Sequence, residues 1–232
     1  KLLLFDFDGV VIDSLDVYEE TVRSCLEKIG QPILKTRADF LALYEDNFYA
    51  SLADRGVNLD AFMVAGVDIL AQVNYGEMKP YPDLIPVLAK LQAENIIVIV
   101  SSSGSDDIRL ILRLNQLTDY FHDIFGSDVH FSKKEKILQA LAKYKIDKIN
   151  ACYLGDTTGD IKEAQAVGIT TIAVTWGWHS REMLAAAGPD YLIDRPEELL
   201  GLSLGEFFRQ SPLRDTELDL ERSKDLSRDV PL

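Results

Sequence analysis

Residues 2–10, LLLFDFDGV, place an apolar run directly before Asp6 and Asp8, two aspartates that are one residue apart. A short, continuous apolar run that ends in a polar turn is typical of a strand buried on both faces of a parallel sheet. Two carboxylates held this close repel each other. The stretch therefore predicts a buried first strand, and it raises the question of what stabilises the pair of acids at its end.

Short apolar runs recur along the chain, each followed by a polar or glycine-rich turn, at residues 96–100, 150–154, 170–174 and 191–193. A weaker strand is expected at 123–125. Apolar residues at helical spacing occupy the intervals, at 84–93, 106–114, 133–143 and 160–167. Because continuous apolar strands alternate with helices, we expect a doubly wound, Rossmann-like α/β core around a parallel sheet.

The interval between the first two strands departs from this alternation, since it holds only helical patterns, at residues 15–29, 37–49 and 59–73. A single crossover needs about a dozen residues, so this interval is too long to be one. We therefore expect an all-helical cap at 15–79 inserted into a core of 1–14 and 80–209. Residues 210–232 are rich in charges of both signs and are expected to form a flexible tail.

The composition narrows the class of protein. The chain of 232 residues has 24 basic and 38 acidic side chains and a net charge of −14, which disfavours nucleic acids and anionic membranes as partners. No apolar run approaches the roughly 20 residues of a membrane span. The two cysteines, Cys25 and Cys152, are far apart and are expected to be reduced thiols of a cytoplasmic protein. The composition is compatible with either a monomer or a homodimer.

Polar clusters follow the predicted strands at the edge where parallel sheets bind ligands. Each cluster alone fits a solvated turn, a helix cap or a surface lysine, but four clusters at one edge favour a site. The candidate residues are Asp6 and Asp8, Ser101 and Ser102, Lys133 or Lys134, and Asp156 and Asp160.

These residue types suit phosphoryl transfer. Carboxylate oxygens without a nearby histidine or thiolate favour Mg²⁺ over zinc. Serine hydroxyls and a lysine donate hydrogen bonds to phosphate oxygens. One aspartate can attack phosphorus to form an aspartyl-phosphate, while the other protonates the leaving alcohol and later deprotonates water.

In these motifs the chain resembles the haloacid dehalogenase superfamily of phosphatases and phosphotransferases. FDFDGVVIDS (5–14), VIVS (98–101), a lysine at Lys133 or Lys134, and YLGDTTGD (153–160) match its four motifs in order. The resemblance implies Asp6 as nucleophile and metal ligand. It implies Asp8 as acid and base, with its backbone carbonyl on the metal, and Asp156 and Asp160 as further metal residues. Ser101, Ser102 and Lys133 would bind phosphate.

The helical insertion resembles the cap of the phosphoglycolate phosphatase and β-phosphoglucomutase-like branch, and WGWHSRE (176–182) looks closest to phosphoglycolate phosphatases. This implies a Mg²⁺-dependent phosphoric monoester hydrolase acting on a small phosphorylated metabolite, with a phosphoglycolate-like compound as the first expectation. Asp8 argues against dehalogenation, which has no leaving alcohol to protonate. A phosphomutase remains an alternative because it uses the same core residues.

Two other classes of protein share parts of the pattern, namely a receiver-like phosphorylation switch and a catalytically idle phospho-ligand binding protein. The inserted cap and the pair of aspartates argue against the switch. Within the cap, Tyr44 and Asn47 are speculative candidates for facing the site. The three histidines show no ligand spacing and are assigned no role.

Overall fold

The computed structural model describes residues 1–201, so the expected tail at 210–232 lies outside the described residues. The elements follow one another as β1 (Leu2–Phe5), β2 (Ile12–Asp13), α1 (Leu15–Lys28), α2 (Arg37–Leu41), α3 (Phe48–Asp54), α4 (Leu59–Leu70), β3 (Lys79–Pro80), α5 (Ile85–Leu91), β4 (Ile96–Val100), α6 (Ser105–Leu114), β5 (Asp123–Phe125), α7 (Lys133–Tyr144), β6 (Ala151–Gly155), α8 (Thr158–Val167), β7 (Thr170–Val174), α9 (Arg181–Ala186), β8 (Tyr191–Ile193) and α10 (Glu198–Gly201).

Six strands form one sheet in the order β5-β4-β1-β6-β7-β8, and each neighbouring pair is parallel. β1 lies in the middle, with β4 on one side and β6 on the other. The strand order reverses around β1, which places the carboxyl ends of β1, β4 and β6 side by side at the crevice where such sheets bind ligands. The expected doubly wound α/β fold is confirmed.

The period of two along β1 explains why this strand is apolar throughout. Leu2 and Leu4 are buried in a cluster with α7 and α8 on one face of the sheet. Leu3 and Phe5 point to the other face, where they join a second cluster that continues into the inserted helices. Because both faces are covered, each residue of the strand must be apolar.

The chain leaves the core and returns to it through a two-stranded antiparallel ribbon. In this ribbon Ile12 of β2 pairs with Pro80, and Asp13 pairs with Lys79 of β3. The ribbon thus joins the two connections of the inserted segment side by side. The sequence analysis did not predict this ribbon, because strands of two residues have no periodicity of their own.

The prediction of one continuous helix at 37–49 was wrong. The segment divides into α2, a 3₁₀ turn at Ala42–Tyr44 and α3. Asn47 has an extended backbone, and its side chain accepts a hydrogen bond from the Ala50 amide, so it begins α3 as an N-cap. The open turn also frees the Glu45 carbonyl, which accepts hydrogen bonds from Thr158 and Lys162 of the core.

Candidate active site

Asp6 and Asp8 lie just beyond β1, and their carboxylates make separate sets of hydrogen bonds. The Asp6 carboxylate accepts from the Phe7 amide and from Nζ of Lys133, each at 2.7 Å. The Asp8 carboxylate instead accepts from the hydroxyls of Ser14 and Ser103, at 2.8 and 2.6 Å. The two carboxylates therefore lie in different environments although only one residue separates them.

Asp6, Asp156 and Asp160 form a buried acidic cluster, in which one oxygen from each lies within 4.8 Å of the others. Asp156 follows β6, and its Oδ2 accepts from the Trp178 amide at 2.7 Å. Its Oδ1 is buried and has no hydrogen-bond partner among residues 1–201. A carboxylate oxygen left free beside two other buried carboxylates is suited to a hard divalent cation, so these residues fit the expected Mg²⁺.

Lys133 occupies the first turn of α7 and is buried. Its Nζ bonds Asp6 at 2.7 Å and Asp160 at 2.5 Å, which answers how like charges are held together at this edge. Lys134 is exposed, and its backbone amide faces Glu163. Of the two lysines left open by the sequence, the fold therefore brings Lys133 into the cluster.

Burial and neighbouring charges separate the pKa values of the acids. Burial raises the pKa of Asp6 to about 8, although the Lys133 charge opposes the change. Burial, followed by the charges of Asp160 and Asp6, raises the pKa of Asp156 well above its usual value. Burial also raises the pKa of Asp160, but the charge and hydrogen bond of Lys133 outweigh it and the pKa is lowered. Lys133 therefore keeps Asp160 ionised in preference to the other two.

The serine loop after β4 lies beside Asp8. Ser101 is buried, with its hydroxyl 3.4 Å from Asp8. The Ser102 carbonyl accepts a hydrogen bond from the Tyr49 hydroxyl of the cap at 2.9 Å. Ser103, which the sequence analysis did not select, makes the shortest hydrogen bond to Asp8 in this loop. The run of three serines was the only available signal, and it could not show which hydroxyl faces the acid.

Lys136 was also missed. It is fully buried and donates to the Ser101 carbonyl. Burial, and then the nearby charge of Lys133, lowers its pKa to about 7. Its spacing of one helical turn from Lys133 on α7 was a usable signal, because residues three apart share a helix face. Lys136 thus holds the backbone of the serine loop through this hydrogen bond.

The helical insertion expected at 15–79, called the cap here, contacts the core at this edge of the sheet. Trp178 of the core contacts the rings of Phe40 and Tyr44, with centroids 5.5 and 4.8 Å apart. A Cβ added to Gly159 in α8 would lie 2.3 Å from the Asp46 carbonyl, so only glycine allows the cap backbone to approach this closely. Lys162 adds an ion pair with Asp46 at 2.7 Å.

His179, which received no role from the sequence, connects the cap and the core. Its Nδ1 accepts from the Thr158 amide at 3.1 Å, and its Nε2 lies 3.1 Å from the Leu41 carbonyl. Since the carbonyl can only accept, Nε2 carries the proton and the ring is neutral. Burial lowers the pKa of His179, which favours the same neutral form.

The two speculative cap candidates have different positions. Tyr44 lines the cavity between cap and core and stacks on Phe48 at 5.0 Å. Asn47 does not line the cavity; its amide donates to the Phe131 carbonyl and to Glu163. Asn47 is therefore a helix cap and a link to the core, and its selection as a residue facing the site was wrong.

The cavity between the cap and the core has a volume of about 690 Å³. Its core end is formed by Asp6, Asp8, the serine loop and Lys133. Its cap end is formed mainly by α1 and α4. Cavities of roughly 300–1,000 Å³ are typical of small-molecule sites, so the acids face a space that can hold an organic ligand.

Residues 3–174 match the family model of haloacid dehalogenase-like hydrolases. The chain belongs to this family, as its sequence motifs suggested. It is therefore an enzyme of the hydrolase class that the fold and the acidic cluster indicate. Within residues 1–201, no helix is both long enough and apolar enough to cross a membrane.

Among curated relatives, a phosphoglycolate phosphatase from Synechococcus elongatus is 28% identical over 205 residues, which cover 86% of this chain and 95% of that protein. A phosphoglycolate phosphatase from Aquifex aeolicus is 26% identical over 211 residues, or 87% and 96% of the two chains. A solved haloacid dehalogenase-like family hydrolase from Streptococcus pneumoniae has the same fold, with a TM-score of 0.72 at 22% identity over 86% and 96% of the chains. The expected class, a hydrolase of this superfamily with phosphatase relatives, is confirmed.

Proposed function

We propose that this protein is a Mg²⁺-dependent phosphatase that hydrolyses a phosphate monoester through an aspartyl-phosphate on Asp6. The observation that carries the proposal is the division of the first two acids between separate environments. Asp6 belongs to the acidic cluster with Lys133, whereas Asp8 is bonded by serine hydroxyls. Two acids with different environments suit two different roles in one reaction.

In the first step, a carboxylate oxygen of Asp6 attacks phosphorus, and the bond from phosphorus to the alcohol oxygen breaks. Asp8 gives its proton to the departing oxygen. In the second step, Asp8 takes a proton from water as the water oxygen attacks phosphorus. The bond from phosphorus to the Asp6 oxygen breaks, which releases inorganic phosphate and restores the Asp6 carboxylate. Burial raises the pKa of Asp8, which supports its holding a proton before the first step.

Lys133 and the serine loop would hold the phosphoryl oxygens through charge-assisted hydrogen bonds. Asp6, Asp156, Asp160 and the Asp8 backbone carbonyl are the groups that would hold Mg²⁺. The ion would supply positive charge against the carboxylates and the substrate phosphate. The names of the relatives make a phosphoglycolate-like compound the first candidate substrate.

The test is release of phosphate from p-nitrophenyl phosphate in the presence of Mg²⁺. Asp6→Asn should lose activity by on the order of 10⁴-fold or more, since it removes the nucleophile. Asp13→Asn is the matched control, because Asp13 is exposed and belongs to the same motif. A phosphate adduct should appear on Asp6 in acid-quenched wild-type protein. Undiminished turnover by Asp6→Asn would refute the assigned nucleophile, and an isomerised product without free phosphate would indicate a mutase.

A further inference from the structure

The cap end of the cavity is apolar. Val22 of α1 faces it from one side, and Phe62, Met63 and Leu70 of α4 face it from the other. Phe48 adds an aromatic ring from α3. A wall of this kind favours a ligand with apolar surface of its own, because contact removes the apolar surface of both from water.

The cap end of the same cavity offers no positive charge to a ligand. Among the residues that the structure describes, Lys133 is the only lysine or arginine that lines the cavity, and it lies at the core end, paired with Asp6 and Asp160, where the proposed function needs it for phosphate. Asp8 and Asp107 add acidic groups to the lining. A carboxylate buried at the cap end would thus lose its hydration without gaining a cation, which is strongly unfavourable.

One neutral polar group at the cavity wall lacks a partner. The indole Nε1–H of Trp178 is buried and makes no hydrogen bond within residues 1–201, whereas the hydroxyls of Tyr18 and Tyr75 lie near Ser103 and Asp107. Buried polar groups are nearly always paired in the functional state of a protein. A neutral donor of this kind can pair with an uncharged oxygen on a ligand.

We propose that the leaving alcohol of the substrate is uncharged and largely apolar, and that it is longer than the two-carbon acid of phosphoglycolate. This inference rests on the proposed phosphatase function and specifies its substrate class. Phosphoglycolate carries a second anion and little apolar surface, so it matches neither the wall nor the charge of this cavity. The proposed substrate class thus replaces phosphoglycolate, the first candidate that the names of the relatives provide, with the ester of an uncharged and largely apolar alcohol.

The experiment compares phosphate release from ethyl, butyl and hexyl phosphate, from 5-carboxypentyl phosphate, and from phosphoglycolate. These alkyl esters have similar leaving groups, so chemical reactivity does not set the order. We expect kcat/KM to rise roughly fourfold for each added methylene, as apolar burial predicts. We expect hexyl phosphate to exceed both its carboxylated counterpart and phosphoglycolate by roughly tenfold or more.

A preference for phosphoglycolate, or equal kcat/KM for the hexyl and carboxypentyl esters, would overturn the proposed substrate class and leave the phosphatase function intact. No phosphate release from any ester, including p-nitrophenyl phosphate, would instead refute the proposed function. Calorimetric binding of hexylphosphonate and 5-carboxypentylphosphonate tests the cavity without turnover. Tighter binding of the hexyl compound supports the inference, and equal or weaker binding overturns it.

A charge placed in the wall provides a matched pair of variants. Met63 is half-buried and lines the cavity, whereas its neighbour Val64 is 71% exposed and does not. Met63→Lys should reduce the preference for hexyl over carboxypentyl phosphate by roughly tenfold, because it supplies the missing cation. Val64→Lys adds the same charge outside the cavity and should leave the preference unchanged. Equal effects of the two variants would contradict the role assigned to the wall.

Discussion

The hydroxyl of Ser103 donates to the carboxylate of Asp8 at 2.6 Å, across 95 positions of sequence. This bond joins the turn after β1 to the loop after β4, the two strands that lie side by side in the sheet. It stabilises the ionised form of Asp8 and opposes the effect of burial on its pKa. The serine loop is therefore part of the environment of the proposed acid and base, as well as the proposed source of phosphate ligands.

Ser103→Ala should raise the pKa of Asp8, because it removes a hydrogen bond to the charged form. The limb of the pH–rate profile that Asp8 controls should move to higher pH, and kcat should fall by roughly tenfold, the equivalent of one charged hydrogen bond. Ser103→Thr keeps the hydroxyl and should restore the profile. An unchanged pH profile in the alanine variant would show that this bond does not tune Asp8.

Lys133→Met should reduce kcat/KM by on the order of 10²–10³-fold, the usual cost of losing one strong donor to a developing charge. Lys134→Met removes the same charge from an exposed position one residue away and should have little effect. Steady-state kinetics on folded samples, checked by circular dichroism, measure both. Similar losses in the two variants would argue against a special role for Lys133.

Mg²⁺ should stabilise the wild-type protein and should fail to stabilise Asp156→Asn. A ligand that binds only the folded state at 100 times its dissociation constant adds about 2.7 kcal/mol to the free energy of unfolding. Within residues 1–201, Asp156 Oδ1 is the buried carboxylate oxygen that has no hydrogen-bond partner. Its replacement should therefore weaken Mg²⁺ binding most directly. Urea unfolding with MgCl₂ and with a chelator checks this, with the exposed Asp13→Asn as control. Equal stabilisation of both variants would place the ion elsewhere.

Gly159→Ala should displace the cap, since the new Cβ would meet the Asp46 carbonyl at 2.3 Å. Alanine favours a helix over glycine, so α8 itself should not be weakened. We expect kcat/KM to fall by on the order of 10²-fold, the cost of a displacement of about 1 Å at an active site. Hydrogen–deuterium exchange should increase at residues 42–47. Gly201→Ala is the control, because a Cβ there would meet no atom of residues 1–201 within 4 Å. Normal exchange in Gly159→Ala would contradict the close approach.

Local patterns were sufficient for the core of the fold because burial on both faces leaves a continuous apolar signature in each strand. The strand expected at 96–100 was observed at Ile96–Val100, and that expected at 150–154 was observed one residue later, at Ala151–Gly155. The prediction of one helix at 37–49 was wrong because its interruption is not a local property of the sequence. Its interruption depends on Glu45 accepting hydrogen bonds from Thr158 and Lys162, more than 110 residues away.

The sequence by itself determined the parallel α/β core, the helical insertion and the pair of acids after β1, since strand periodicity and motif spacing are local properties of the chain. Only the tertiary structure placed Lys133 rather than Lys134 in the acidic cluster, brought Ser103 to Asp8, and assembled a cavity whose cap end has no cation among the described residues. Each of these depends on groups that become neighbours only after strands and helices pack. The proposed phosphoryl chemistry rests on the acids after β1, and the proposed leaving alcohol rests on the helices that cover them.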